Sequence, residues 1–219
     1  MNDMRIKAGL VLLAVLGAGT ATADNNYGLG VKAGTLGIGV EGIWRPLPLI
    51  DIRLGLNGYD YDENGFQAGV NYDATLALDT LYATANFHFP VSPFRVTAGV
   101  FANGNELRMV SSDNTNFDIG GDIYTAADVG TLSSVTSFAD TAPYVGIGFD
   151  FSVFGKVGLN LDVGVLWQGE PDVVIDSDGL LANDPGFQSA LETERLELVD
   201  EMSDFKAWPV ISLGFLVNF

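Results

Sequence analysis

His88 is the only histidine in the 219 residues, and there is no cysteine. Any histidine-dependent hydrolase or acyl-transfer chemistry would therefore run through His88 alone, with no thiolate or second imidazole beside it. No serine elbow accompanies it, and it stands two residues before Pro90 at a strand end. A lumen or girdle histidine is the expected role, and no enzyme activity is expected. Asp60-Tyr61-Asp62-Glu63-Asn64-Gly65 opens like a calcium loop, D-x-D-x-N-G, but the place of the bidentate glutamate is taken by Asn71. An acidic hairpin tip explains it better. Asp176-Ser177-Asp178-Gly179 is a shorter and weaker version. No metal ligand set and no cofactor is expected; disulfides and thiolate sites are excluded outright.

A third group of residues is more informative. Glu41, Arg45, Asp51, Arg53, Arg95 and Asp162 sit at alternate positions inside otherwise apolar segments, as do Lys32, Arg108 and Asp150. Charges spaced this way on strands point to the polar side of a sheet. Inside a narrow barrel they either pair into a network that fills the lumen or line a path that selects small solutes. The first six are the candidate lumen or solute-binding residues.

The elements that must position them read as strands. Ile50, Ile52, Leu54 and Leu56 alternate with Asp51, Arg53, Gly55 and Asn57. Leu81–Phe89, Phe94–Val100, Val145–Phe151 and Val157–Trp167 alternate in the same way, as do Leu36–Trp44, where Leu36 shares a face with Ile38. The last strand alternates from Ile211 to the final residue Phe219. Short connections at Pro46–Leu49, Pro90–Pro93 and Ser152–Lys156 contrast with long ones at about Asp60–Val70, Val110–Asp140 and Gly169–Asp204. With a tight turn near Gly34, this predicts an all-β fold: an eight-stranded antiparallel transmembrane β-barrel, short turns on one side and long loops on the other. The alternation slips at Asp79–Tyr82, where a bulge would absorb it. Roughly Pro185–Ser203 reads as an amphipathic helix in the last loop, packed over the barrel mouth on Phe187, Leu191, Leu198 and Met202.

Residues 1–23 read as a secretory signal peptide: Arg5 and Lys7, an apolar run from Ala8 to Gly17, then Ala21-Thr22-Ala23 before cleavage at Asp24. The barrel domain is then residues 24–219. Formal charge is −18 with 47% apolar residues, which excludes both a disordered acidic chain and a nucleic-acid binder. The three long loops hold 19 of the 28 acids and a single base, Arg195. The acidity therefore belongs to an outer rim, which concentrates cations at the mouth.

Together, Ala33–Gly39 (AGTLGIG), Tyr124–Leu132 (YTAADVGTL), Thr141–Phe149 (TAPYVGIGF), Asp162–Val174 (DVGVLWQGEPDVV) and Phe205–Phe219 (FKAWPVISLGFLVNF) resemble the CarO-type outer-membrane proteins. That family is associated with carbapenem susceptibility. The resemblance implies an eight-stranded barrel without a wide pore, and passage of small, often basic, amino acids. A narrow channel or uptake protein for small polar solutes is expected, against a non-transporting structural or surface-interaction barrel. The expected setting is a Gram-negative outer membrane. Expected partners are its lipid and lipopolysaccharide, the barrel-assembly machinery acting on the C-terminal strand, and small cationic solutes.

Overall fold

Alternation at period two closes into a barrel in a computed structural model that describes residues 26–67, 70–112, 115–153 and 156–219. The signal-peptide segment lies outside the described residues. The strands are β1 (Tyr27–Gly34), β2 (Gly37–Leu47), β3 (Ile50–Gln67), β4 (Val70–His88), β5 (Phe94–Asn103), β6 (Glu106–Ser111), β7 (Asn116–Ile119), β8 (Asp122–Thr125), β9 (Leu132–Ser137), β10 (Thr141–Val153), β11 (Val157–Trp167), β12 (Asp172–Ser177) and β13 (Ala207–Asn218). Eight of them, in the order β1-β2-β3-β4-β5-β10-β11-β13, form an antiparallel ring that closes when β13 pairs with β1. Tyr27 and Phe219 exchange backbone hydrogen bonds at the seam, so both ends of the barrel chain lie on the short-turn side. No helix among the described residues is long and apolar enough to cross a membrane.

The outside of the ring is the apolar face. Ile38, Leu54, Leu81, Val100, Ile211 and Leu213 are all more than half exposed, as side chains that meet lipid must be. Near the short turns Phe87, Phe89, Phe94 and Phe149 form a chain of ring contacts 5.2–5.4 Å apart, one arc of an aromatic girdle. The β2–β3 register shifts between Trp44 and Leu47, where Pro46 has no N–H to give the ladder.

Two expectations about the long connections need correction. Asp60–Val70 is not a loop: β3 and β4 run on as one ladder from Ile50 opposite Phe87 to Gln67 opposite Val70. Val110–Asp140 likewise contains strands. Glu106 pairs with Ala77 just as Asn103 pairs with Thr80, so β6 continues β5 in the same register past a break at Gly104-Asn105. Glu106 opposite Ser137 and Ala102 opposite Thr141 make β9 the upper part of β10 in the same sense. With β12 beyond β9, five barrel strands rise past the ring as a tall wall, while β13, β1 and β2 end at a low rim.

The unbroken β3–β4 register also removes the bulge expected at Asp79–Tyr82. Even-numbered positions of β4 keep facing the lumen throughout. What changes is their chemistry, from Asn86 and Thr84 below to Leu78 and Leu76 above, because the strand has left the lipid band and its faces exchange environments.

The lumen-side face of the wall carries a second apolar core. Phe117 and Ile119 of β7, Val129 of helix α1 (Ala126–Val129) and Phe187, Ala190 and Leu191 of helix α2 (Pro185–Glu201) are buried together, against Leu132 and Ile175 of the wall. Asp184 caps α2 by accepting from the Gly186 and Phe187 amides. The helix is where it was expected, but of the four stripe residues only Phe187 and Leu191 are buried, with Ala190, while Leu198 and Met202 are half-buried. Its support is this wall-and-hairpin core, and a 3-10 turn (Met202–Lys206) returns the chain to β13. On its exposed side Arg195 donates to both oxygens of Glu192, holding that carboxyl below its ordinary range.

Candidate functional site

Lumen-facing positions on seven strands bring Lys32 (β1), Glu41 (β2), Asp51 and Arg53 (β3), His88 (β4), Arg95 (β5), Asp150 (β10) and Asp162 (β11) into one chain of ion pairs. Lys32 Nζ lies 3.7 Å from Glu41, and Arg53 reaches Glu41 at 3.2 Å and Asp51 at 3.1 Å. Arg53 then spans the lumen to Asp150 on the far wall, at 3.2 Å. Arg95 binds Asp150 at 3.0 Å and Asp162 at 2.6 Å, and donates also to Asn86 and Thr97. His88 Nε2 is 2.6 Å from Asp51 Oδ2. Charges taken out of water need such partners on every side.

Glycine makes the crossings sterically feasible. Glu41, Gly55 and Tyr82 face one another across three adjacent strands, and the Tyr82 ring lies over Gly55 to donate to Glu41 at 2.7 Å. Arg95, Gly148 and Asp162 repeat the device, with the guanidinium lying flat over Gly148. A Cβ at Gly55 would stand 2.4 Å from the Tyr82 hydroxyl, and one at Gly148 2.4 Å from Arg95 Cζ.

Of the residues picked out from spacing, Glu41, Asp51, Arg53, Arg95 and Asp162 are buried together in this network. Arg45 is half-buried at the short-turn end, where it lines a vestibule of about 220 Å³ with Asp51 and His88. Asp150 and Lys32 belong to the network too. Arg108 does not: it stands exposed on β6, paired with Glu106, because β6 keeps the register of β5, whose even-numbered positions face outward. Asp60, Asp62 and Asn64 lie along an extended strand, which spreads same-face side chains about 7 Å apart and cannot wrap a calcium ion. Thr75 donates to Asp62 instead.

The upper lumen was not legible as a site. Leu36, Tyr82, Phe101, Ala142, Tyr144, Leu166 and Val210 form a buried cluster there, with Trp208 against it. The Tyr82 and Phe101 rings stack at 4.9 Å, and Phe101 meets Tyr144 at 5.3 Å. The alternation groups Leu36 with the outward Ile38, but the positive φ of Gly37 (89°) turns the chain between them and sends Leu36 inward. The signal that was available is the parity of Tyr82 and Tyr144 with the polar residues of their strands.

Between plug and network remains a cavity of about 30 Å³, room for one or two waters. Four acids (Glu41, Asp51, Asp150, Asp162) face four bases (Lys32, Arg45, Arg53, Arg95), so these eight charges balance in the lumen.

A ring of eight antiparallel strands, apolar outside, sealed inside and girdled by aromatics, is the architecture of the small outer-membrane β-barrels. Among solved structures the chain is similar to Acinetobacter baumannii CarO, with a TM-score of 0.57 at 22% identity over 88% of this chain and 97% of that one. It is similar to Acinetobacter baumannii CarO2 at a TM-score of 0.59 and 22% identity, over 88% and 98% of the two chains. The likeness is one of fold. No family model matches the sequence, and no curated protein is similar to it.

Proposed function

We propose that the chain is exported with residues 1–23 removed, is inserted into a Gram-negative outer membrane with its short turns in the periplasm, and acts there as a closed barrel that presents a folded acidic surface rather than a path for solutes. The observation that carries this reading is the double seal of the lumen, an aromatic plug above a charge-balanced network, which leaves about 30 Å³. A solute the size of an amino acid needs several times that space. Above the seal the acid-rich segments are built into the tall wall and its cap. That firm platform can meet lipopolysaccharide or another partner.

Planar-bilayer conductance and liposome swelling with arginine, ornithine and glutamate test the reading. Silence in both assays is expected; steady single-channel steps, or swelling above that of protein-free vesicles, would restore the uptake reading. The barrel itself is expected to migrate differently before and after boiling in detergent, and a preparation with no such shift would count against insertion as a folded ring.

A further inference from the structure

His88 and Asp150 face each other at the short-turn end of the lumen without a hydrogen bond between them. His88 Nε2 lies 2.6 Å from Asp51 Oδ2. A carboxylate only accepts, so Nε2 is the donor in this bond and Nδ1 is the ring nitrogen left to bind a ligand. Nδ1 lies 3.7 Å from Asp150 Oδ2, beyond hydrogen-bond reach. Both guanidinium contacts to Asp150 fall on Oδ2. Its Oδ1 is buried and has no hydrogen-bond partner. One ligand atom each from Asp51, His88 and Asp150 all lie within 4.8 Å of one another. The vestibule opens directly onto Asp51 and His88.

We infer that His88 Nδ1 and the Asp150 carboxylate are the protein ligands of a divalent transition-metal site, of the zinc type, at the short-turn mouth of the lumen. Two ligand atoms each about 2.1 Å from a tetrahedral zinc stand roughly 3.4 Å apart; Nδ1 is 3.7 Å from the guanidinium-bound Oδ2 of Asp150, and the unpartnered Oδ1 is the oxygen left to bind the ion. Asp51 takes the place of the carboxylate that commonly holds a metal-binding imidazole from behind, fixing its tautomer and orientation. The vestibule supplies water for the remaining positions and a route for the ion. A mixed nitrogen and oxygen donor set suits zinc and disfavours magnesium and calcium, which take oxygen. The opposing force is Arg45, whose charge lines the same vestibule. The ion therefore competes with that half-buried guanidinium, and with those of Arg53 and Arg95 that already donate to Asp150 Oδ2. The sequence shows none of this, because positions 51, 88 and 150 follow no ligand spacing and meet only through barrel closure.

The single histidine makes the test direct. Full-length barrel, 15N-labelled in histidine and folded in detergent micelles, is titrated with zinc sulfate while the two ring nitrogens are followed by NMR. Saturable movement of Nδ1 and no movement with magnesium are the expected results, together with loss of zinc binding in His88→Ala, which has no ring signal and is followed by isothermal titration calorimetry beside the parent. Asp51→Asn is expected to weaken zinc binding 10–100-fold, and Arg45→Gln to tighten it, with the heat-dependent mobility shift confirming that each variant is folded. An Nδ1 signal indifferent to millimolar zinc overturns the proposal. So does binding that survives His88→Ala, or an Arg45→Gln barrel that binds no better than the parent.

Discussion

Arg95→Met is expected to destabilise the barrel by about 3–5 kcal/mol, the range seen when one partner is removed from a buried ion pair. The size follows from what is left behind rather than from what the pairs contribute. Arg95 is 1% exposed and pairs with Asp162 at 2.6 Å, while sharing Asp150 with Arg53. Methionine matches much of the stem but leaves the Asp162 carboxylate facing a sealed lumen, with Asn160 at 3.4 Å as its remaining donor. Urea titration of folding into liposomes, read by tryptophan fluorescence, measures the loss. Two comparisons make it specific. Arg195→Met, which removes an exposed pair on α2, is expected to leave the midpoint where it was. Arg95→Met combined with Asp162→Leu is expected to recover part of the loss, since the orphaned charge goes with its partner. If Arg95→Met unfolds no earlier than Arg195→Met, the network is not what holds the lumen together.

How far such arguments are visible in the amino-acid order depends on where lipid is. Strands inside the bilayer announce themselves, since Leu54 and Leu81 must face hydrocarbon while Arg53 and Tyr82 must not, and the period of two survives. Above the bilayer neither face meets lipid. The continuation of β3 through Asp60 and Asp62 therefore loses its apolar beat and reads as a loop, although its ladder is unbroken. Arg108 illustrates the same limit from the other side: read alone it resembles a lumen charge, and only the register that β6 shares with β5 puts its even-numbered position on the outward face. The charged positions of the lumen were legible one by one. Their pairing was not, because Arg53 and Asp150 are 97 residues apart and meet only across a closed barrel. The aromatic plug was hidden for a different reason. A tyrosine on the polar face of a strand gives no sign of whether it fills a lumen or merely lines it, and that depends on the glycine opposite.

Gly148→Ala tests that last dependence, and it is expected to cost nearly as much as losing Arg95 itself. A single added methyl on a surface strand would be close to neutral, and in most strands alanine is no worse than glycine. Here the Cβ would stand 2.4 Å from Arg95 Cζ and 2.6 Å from Nη1, well inside contact distance. The guanidinium is the end of a flexible side chain, so the barrel need not fall apart. Moving it, however, withdraws it from Asp162, Asn86 and Thr97 at once, and the carboxylate is stranded as in Arg95→Met. A double-mutant cycle separates the two explanations. With Arg95 already replaced by methionine the methyl meets a softer, uncharged neighbour, and Gly148→Ala is expected to cost less than about 1 kcal/mol, giving a coupling of roughly 2–3 kcal/mol. Equal costs in both backgrounds would mean that Gly148 is needed for its backbone alone. Gly55→Ala is the sister experiment on the Glu41–Tyr82 row, where the Cβ would stand 2.4 Å from the Tyr82 hydroxyl and 2.7 Å from the Val40 carbonyl oxygen. Because one of those neighbours is backbone, relief by a side-chain shift is incomplete. Gly55→Ala is therefore expected to retain part of its cost even when Tyr82 is replaced by leucine, a contrast with Gly148 that distinguishes a crossing made by a flexible arm from one made by a rigid ring.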